Sequence, residues 1–370
     1  MNKKVKRVYI LGKAKGAYRT QNFIKYILDR PNEYRLYYND IWFTPHIVKY
    51  LKSIFINPFT ILRCSIVYVT TLNVDVNILW ELLLSRVFHK KIVIDYYVSV
   101  YDTVVVDREW FKKGSLMAKV ALMIDRFFLK IGTRVVFLNE TEKKRYSENV
   151  KMNSDNKKFV IVPLCVEKTG EVHPPLLEKK TSIVKICWWG SYLPLHGLDR
   201  ILKALALLKQ ENVLIEAYFF GNNDKKGKQY ELLAQQLNVD DICFFNNDYS
   251  FKNGKLLPFL VDNCDIALGN FGTSDKSKNV LINKILDACA MKSVLLTCYS
   301  NAVSEYFNDN KNLFMAECDP RDIATKIKMI IDTDTEALRR RVNDAYDIYM
   351  KEFTVDAYLD RIGSIILKGL

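Results

Sequence analysis

Apolar positions along the chain come in two rhythms. Short β-branched or aromatic runs alternate with longer segments whose apolar residues recur every three or four positions, the pattern of a parallel sheet covered by helices. In the first half the runs Val5–Leu11, Tyr34–Tyr38, Ile66–Thr70, Lys91–Asp95, Arg134–Leu138 and Phe159–Pro163 read as strands. Helical patterns fall between them near Ala17–Asp29, Val76–Phe88 and Ser115–Ile131. The alternation then restarts with strands Ile183–Gly190, Val213–Phe220, Ile242–Phe245, Asp265–Leu268 and Ser293–Thr297. Helices are expected from Gly197 and near Lys226–Leu237, Gly254–Val261 and Leu281–Met291. After Gly197 the residues Leu198, Ile201, Leu202, Leu205 and Leu208 form one buried stripe.

The fold class expected is therefore α/β, with two Rossmann-like, doubly wound domains facing across a cleft. Residues 1–168 form the first domain and 169–182, with Gly170, Pro174, Pro175 and little periodicity, the linker. Residues 183–350 form the second domain. In such folds ligands bind outside the carboxyl ends of the strands, with phosphates at helix N-termini. One segment fits less well. The helical pattern after Pro45 puts Ile47, Tyr50, Leu51, Ile54 and Phe55 on one side and Lys49, Lys52 and Ser53 away from it. That suits either a helix packed on the sheet or one lying in a membrane interface.

Composition narrows the class. A chain of 370 residues that is 49% hydrophobic and 26% charged supports two ordinary cores. Its eight cysteines include no Cys-x-x-Cys pair, and its four histidines, His46, His89, His173 and His196, show no paired ligand spacing, so structural zinc and a disulfide framework are not expected. The apolar run Val8–Leu11 is too short for a signal peptide, and Leu116–Leu138 is interrupted by charges and does not read as a membrane span. A cytoplasmic protein is the expectation. The net charge of +13 is one-sided: residues 1–178 hold 30 Lys/Arg against 17 Asp/Glu, and the remainder is balanced at 25 each. An anionic partner for the first half follows, either a membrane face or a nucleic acid.

Four segments carry candidate chemistry. The loop Gly12-Lys13-Ala14-Lys15-Gly16, with Arg19 one turn on, offers close backbone approach and cations to a phosphate or an anionic acceptor, though it matches neither a dinucleotide fingerprint nor a Walker loop. Asp102 follows a buried strand end at the expected cleft mouth, with Arg108 as its candidate ion-pair partner. In the second half, Trp189-Gly190-Ser191-Tyr192-Leu193-Pro194-Leu195-His196-Gly197 aims helix amides, Ser191 and His196 at the crevice. The loop from Asn270 leads into a helix with Asn283, Lys284 and Asp287 near its start, a cation with free amides for a diphosphate and a carboxylate for ribose hydroxyls.

At these segments the chain resembles bacterial family 4 glycosyltransferases of the GT-B fold. The 189–197 segment resembles the "G-x-x-x-P-L-x-G" start of the donor domain in one branch. Asn283-Lys284-Ile285-Leu286-Asp287-Ala288-Cys289-Ala290 resembles the "N-K-x-x-E-A-x-A" helix, and Ser99–Thr103 with Asp107 and Arg108 resembles an acceptor-domain "S-x-Y-D-T…D-R" element. Lys351–Thr354 and the closing helix, residues 351–370, resemble the segment that returns to the first domain. The sequence departs from the family at Asn279, where the first glutamate of the acidic motif would stand, and at Ile282, where the branch has proline.

The resemblance implies a retaining, metal-independent transferase using no cofactor. Its donor would be a nucleotide-diphosphate sugar, uridine in preference to guanosine. Ser191, His196, Asn283 and Lys284 would contact the donor diphosphate, Asp287 the ribose, and Asp102 the acceptor hydroxyl and transferred sugar. Asp102 and Asp287 are thus the candidate catalytic residues, and Gly12, Gly16, Arg19 and Arg108 the candidate acceptor or phosphate contacts. The acceptor expected is a lipid-linked saccharide in surface-polysaccharide assembly, the location the inner face of the cytoplasmic membrane, and the basic domain the membrane-facing one. Asp332-Thr333-Asp334, the only Asp-x-Asp in the chain, reads as a helix cap instead of a metal site. Two other classes remain: a non-catalytic GT-B scaffold, suggested by the altered acidic motif, and a nucleic-acid-binding protein, for which no recognition motif is visible.

Overall fold

In the computed structural model, the structure describes residues 5–12, 18–38, 46–70, 76–169, 183–221, 224–309 and 311–370. The chain divides into two compact units: Met1–Leu164 with Val355–Leu370, and Cys165–Thr354. The linker expected at 169–182 lies outside the described residues except for Thr169, whose hydroxyl donates to the Ala290 carbonyl oxygen at 2.9 Å.

The first unit is a six-stranded parallel sheet. Its strands are β1 (Lys6–Leu11), β2 (Tyr34–Tyr38), β3 (Ile66–Val69), β4 (Lys91–Asp95), β5 (Arg134–Phe137) and β6 (Phe159–Ile161), in the order β2-β1-β3-β4-β5-β6. All four residues of β3 are buried, as are the last four of β1 and of β4, so these strands read as continuous apolar runs because both faces are covered. On one face Tyr9, Leu11, Val67, Ile92, Ile94, Val135 and Phe137 join side chains of α3 (Asn57–Arg63), α4 (Val76–Val87), α5 (Leu116–Ile131) and α6 (Glu140–Asn149) in one cluster. Buried Glu81 of α4 ties this layer together, accepting from Tyr9 Oη at 2.8 Å and Asn57 Nδ2 at 2.7 Å. On the other face Tyr68 stacks on Phe23 of α1 (Tyr18–Leu28), centroids 3.8 Å apart. Tyr358, in the helix Val355–Arg361, donates there to the Arg19 carbonyl oxygen at 3.3 Å.

The second unit repeats the plan: β7 (Val184–Trp189), β8 (Ile215–Phe220), β9 (Cys243–Asn246), β10 (Ile266–Leu268), β11 (Val294–Cys298) and β12 (Phe314–Ala316), all parallel, in the order β12-β11-β10-β7-β8-β9. The helix Leu198–Gln210 buries Leu198, Ile201, Leu202, Leu205 and Leu208, the stripe read from its spacing. Asp334 caps the helix Thr335–Glu352, accepting from the amides of Glu336 and Ala337, the role expected of the Asp-x-Asp triplet.

The strand order places the functional candidates. From β7 the chain winds outward through β8 and β9, and from β10 it winds the other way through β11 and β12. The switch point therefore lies between the carboxyl ends of β7 and β10, where a crevice opens because successive connections leave in opposite directions. In the first unit the corresponding point lies between β1 and β3, next to Gly12.

Candidate functional site

At the second unit's switch point two loops are fastened to each other by backbone. After β7, Gly190 turns at φ +139°, Pro194–His196 form one 3₁₀ turn, and Gly197 at φ +62° opens the Leu198–Gln210 helix. A Cβ at Gly197 would stand 2.2 Å from the Phe271 carbonyl oxygen, so only glycine lets the loop after β10 come this close. The amides of Phe271 and Gly272 donate to the carbonyls of His196 (3.1 Å) and Leu195 (3.0 Å). Ser277 Oγ reaches the same Leu195 oxygen at 3.3 Å, and Asn270 Nδ2 holds the Ser277 carbonyl at 3.1 Å. The result is a rigid floor from which the helices at 198 and 283 both start, neither with a side-chain cap.

Into this floor the structure brings Gly190, His196, Lys284 and Asp287. Lys284 Nζ lies 3.9 Å from the centre of the Trp188 indole and 3.5 Å from where a Gly190 Cβ would be. The lysine is 5% exposed, and among the described residues its ammonium has no hydrogen-bond partner. His196 packs edge-on against the same indole, centroids 5.6 Å apart, with Nδ1 likewise unpartnered. Burial pushes His196 well below the usual imidazole value, and the Lys284 charge adds to this. Lys284 is itself pushed well below the ordinary lysine value by burial, with Asp287 opposing. Asp287 accepts from Trp189 Nε1 at 3.2 Å; burial lifts its carboxyl to about 7, against that hydrogen bond and the Lys284 charge. A buried lysine and an imidazole with unmet hydrogen-bonding capacity, next to uncapped helix amides, are groups suited to an anion.

The remaining candidates of this unit lie around the same floor. Asn283 is exposed at the first position of its helix, and Ser191 follows Gly190 in the turn. Asn279 is part of the loop's own bracing: its Nδ2 donates to the Asp275 carbonyl at 2.7 Å and its Oδ1 accepts from Asn301 Nδ2 at 2.8 Å.

In the first unit two expectations need correction. Arg19 is not open to a phosphate. Its side chain is 5% exposed, grips Asp95 through Nε (3.2 Å) and Nη2 (3.1 Å), and spends Nη1 on the carbonyls of Val162 and Pro163. The guanidinium thus clamps β4, the end of β6 and the Tyr358 ring, whose centre is 4.8 Å away. Arg108 does not pair with Asp102; it is exposed and lies over the Trp110 ring at 4.8 Å. Of the loop, Gly12 is buried at φ +113°, whereas Lys13, Lys15 and Gly16 lie outside the described residues.

Asp102 opens a π-helical turn, Asp102–Asp107, and is fully buried. Its Oδ1 is paired with Arg145 from α6, and Oδ2 has no hydrogen-bond partner. Asp125 of α5 positions this turn, accepting from Ser99 Oγ (2.6 Å) and from the amides of Val100 (2.8 Å) and Tyr101 (2.9 Å). Sequence reasoning missed Arg145 and Asp125. Both sit on helices far along the chain, and the one available signal was a carboxylate at an inward position of the α5 pattern.

The sequence matches no family profile and no curated protein. Solved structures do match. HepE of Anabaena in complex with UDP and glucose superposes over 99% of this chain and 100% of its own, at TM-score 0.69 and 12% identity. A glycosyltransferase of Rickettsia africae matches over the full length of both chains (TM-score 0.68, 16% identity), and sucrose-phosphate synthase of Thermosynechococcus elongatus over 97% of this chain and 98% of its own (0.72, 8%). The fold is that of the GT-B glycosyltransferases. At these identities the likeness shows the architecture alone.

Proposed function

We propose that this GT-B chain is a retaining glycosyltransferase that moves a hexose or N-acetylhexosamine from a nucleotide-diphosphate sugar to a lipid-linked saccharide in cell-surface polysaccharide assembly, as in family 4. The observation that carries the reading is the buried, unpartnered Lys284 ammonium beside His196 and two uncapped helix starts at the switch point. The complexes of HepE with UDP and with UDP-glucose support a UDP-sugar as donor.

In this reading the diphosphate takes the place of missing partners. Lys284 Nζ and His196 donate to its oxygens, the first amides of the 283–290 helix, where Asn283 stands, add their dipoles, and Ser191 contributes from the Gly190 turn. The same groups stabilise the leaving nucleotide diphosphate as the glycosidic bond breaks, which is where negative charge grows. Asp287 accepts from the ribose hydroxyls. Asp102 in the first unit, held by Arg145 with one oxygen unspent, is assigned to the acceptor hydroxyl and the transferred sugar. Gly12 allows close approach of an acceptor phosphate. We assign no metal to the reaction and place the enzyme at the cytoplasmic face of the membrane, where a lipid-linked acceptor resides.

The test is calorimetry with UDP and a panel of nucleotide sugars, followed by nucleotide release in the presence of membrane extract. Micromolar UDP affinity and release with one donor are expected. No affinity for any nucleotide would overturn the reading in favour of a scaffold.

A further inference from the structure

α2 (His46–Phe55) is turned inside out relative to the usual surface helix. Its Lys49 and Ser53 face the protein and are buried, while Ile47, Tyr50, Leu51, Ile54 and Phe55 are exposed, Ile47 by 75%. The neighbouring helices continue the surface: Phe59 (66% exposed) and Leu62 on α3, and Trp80, Leu83 and Val87 on α4. The three helices pack against one another, so these exposed apolar side chains stand on adjoining elements where folding in water would favour polar ones.

Charge says what covers it. Among the described residues from His46 to Ile94 the only carboxylate is Glu81, which is buried. At the foot of α3 a cavity of about 950 Å³ is lined by Lys6, Arg7, Arg35, Arg63, Lys90 and Lys91 and, among the described residues, by no Asp or Glu side chain. Lys6 Nζ donates there to the Leu370 main-chain oxygen at 2.6 Å and Lys90 Nζ to the Leu62 carbonyl at 2.7 Å, and Arg7, Arg35, Arg63 and Lys91 complete the basic lining. Arg7 and Arg63 also line a second hollow whose other walls include Phe55, Ile56 and Phe59, so the apolar face and the basic cavity share an edge.

We propose that the outer face of α2, α3 and α4 docks on an anionic phospholipid bilayer, its apolar side chains entering the interface while the basic cavity takes lipid phosphate. Apolar side chains with aromatics, edged by Lys and Arg and, among the described residues of α2 to α4, with no exposed Asp or Glu, match an interfacial surface on both counts. Among the described residues no helix is long and apolar enough to cross a membrane, so the contact lies in the interface plane. The proposal rests on the lipid-linked-acceptor reading only for its biological setting.

The full chain is floated with vesicles of phosphatidylcholine alone or mixed equally with phosphatidylglycerol, and UDP affinity is measured on the same samples. Binding to the anionic vesicles, weakened at least about tenfold without them and by salt, is expected. Phe55→Ser with Phe59→Ser should lose binding at every salt concentration, and Arg63→Glu with Lys91→Glu chiefly at low salt, both with UDP affinity unchanged. Failure of the unaltered chain to bind anionic vesicles while it still binds UDP overturns the docking surface alone; loss of UDP affinity with vesicle binding intact overturns the donor reading alone. Undiminished vesicle binding by the Phe55/Phe59 variant overturns the proposal. So does a dimer in light scattering that this variant dissolves, because the face would then belong to a second copy.

Discussion

Lys284 illustrates a residue whose worth to the fold and worth to the function have opposite signs. Its ammonium is buried over Trp188 without a hydrogen bond among the described residues, which costs stability. Lys284→Met keeps the volume and removes the charge, so it should raise the unfolding free energy by about 1–2 kcal/mol in urea titrations. In the proposed function the same substitution would remove charge-assisted contacts to the diphosphate, each of about 1.5–3 kcal/mol, and should weaken UDP binding at least about 100-fold by calorimetry. The depressed pKa values give a second signature. Lys284 and His196 sit below their ordinary values, and a diphosphate bound as proposed would raise both. Such binding should therefore take up protons, and affinity should fall as pH rises toward the values these groups would have in the complex. Calorimetry in buffers of different ionisation enthalpy should register that uptake, and Lys284→Met should reduce it.

At the level of elements, what the sequence could reveal depended on whether the deciding contact was local. Strands buried on both faces carry their own signature in runs such as Ile66–Val69 or Val294–Cys298, and only β12, three residues long, left no readable pattern. The Gly190 to Gly197 turn and the Asn283 helix were legible for the same reason, since glycine, proline and helix-start chemistry are set within a few residues. Periodicity identified the apolar side of α2 but could not say that this side points outward, because spacing defines a face and not its neighbour. Arg145 left no local signal and Asp125 only an inward carboxylate, because each meets the Asp102 turn through packing of helices that follow it in the chain. Their contribution is measurable. Asp125→Ala strands Ser99 Oγ and two amides, a cost of roughly 3 kcal/mol, and should collapse transfer activity while leaving UDP affinity in the second unit unchanged. Equal loss of both would mean that Asp125 only supports folding.

For the molecule as a whole, the first unit is closed by residues from both extremes of the chain. Arg134 donates to the carbonyls of Ile365 (2.6 Å) and Ile366 (2.9 Å), and Tyr358, Ile362 and Ile366 are fully buried in that unit. Arg19, conscripted into this seam between Asp95 and the Tyr358 ring, shows why a cation near a glycine loop need not serve a ligand: the unit needs it to join β4 to the returning segment. A buried charge of this kind is stable only while its whole surround is present, since the carboxylate, two carbonyls and the ring together replace its hydration. Tyr358→Ala removes the ring and the hydroxyl that holds the Arg19 carbonyl, at a cost of about 3–5 kcal/mol. Hydrogen exchange should then quicken in β1, α1 and β4 and stay unchanged in β7 to β12, whose core shares none of these residues. Quickened exchange in both sheets would show instead that the returning segment stabilises the two units as one cooperative body.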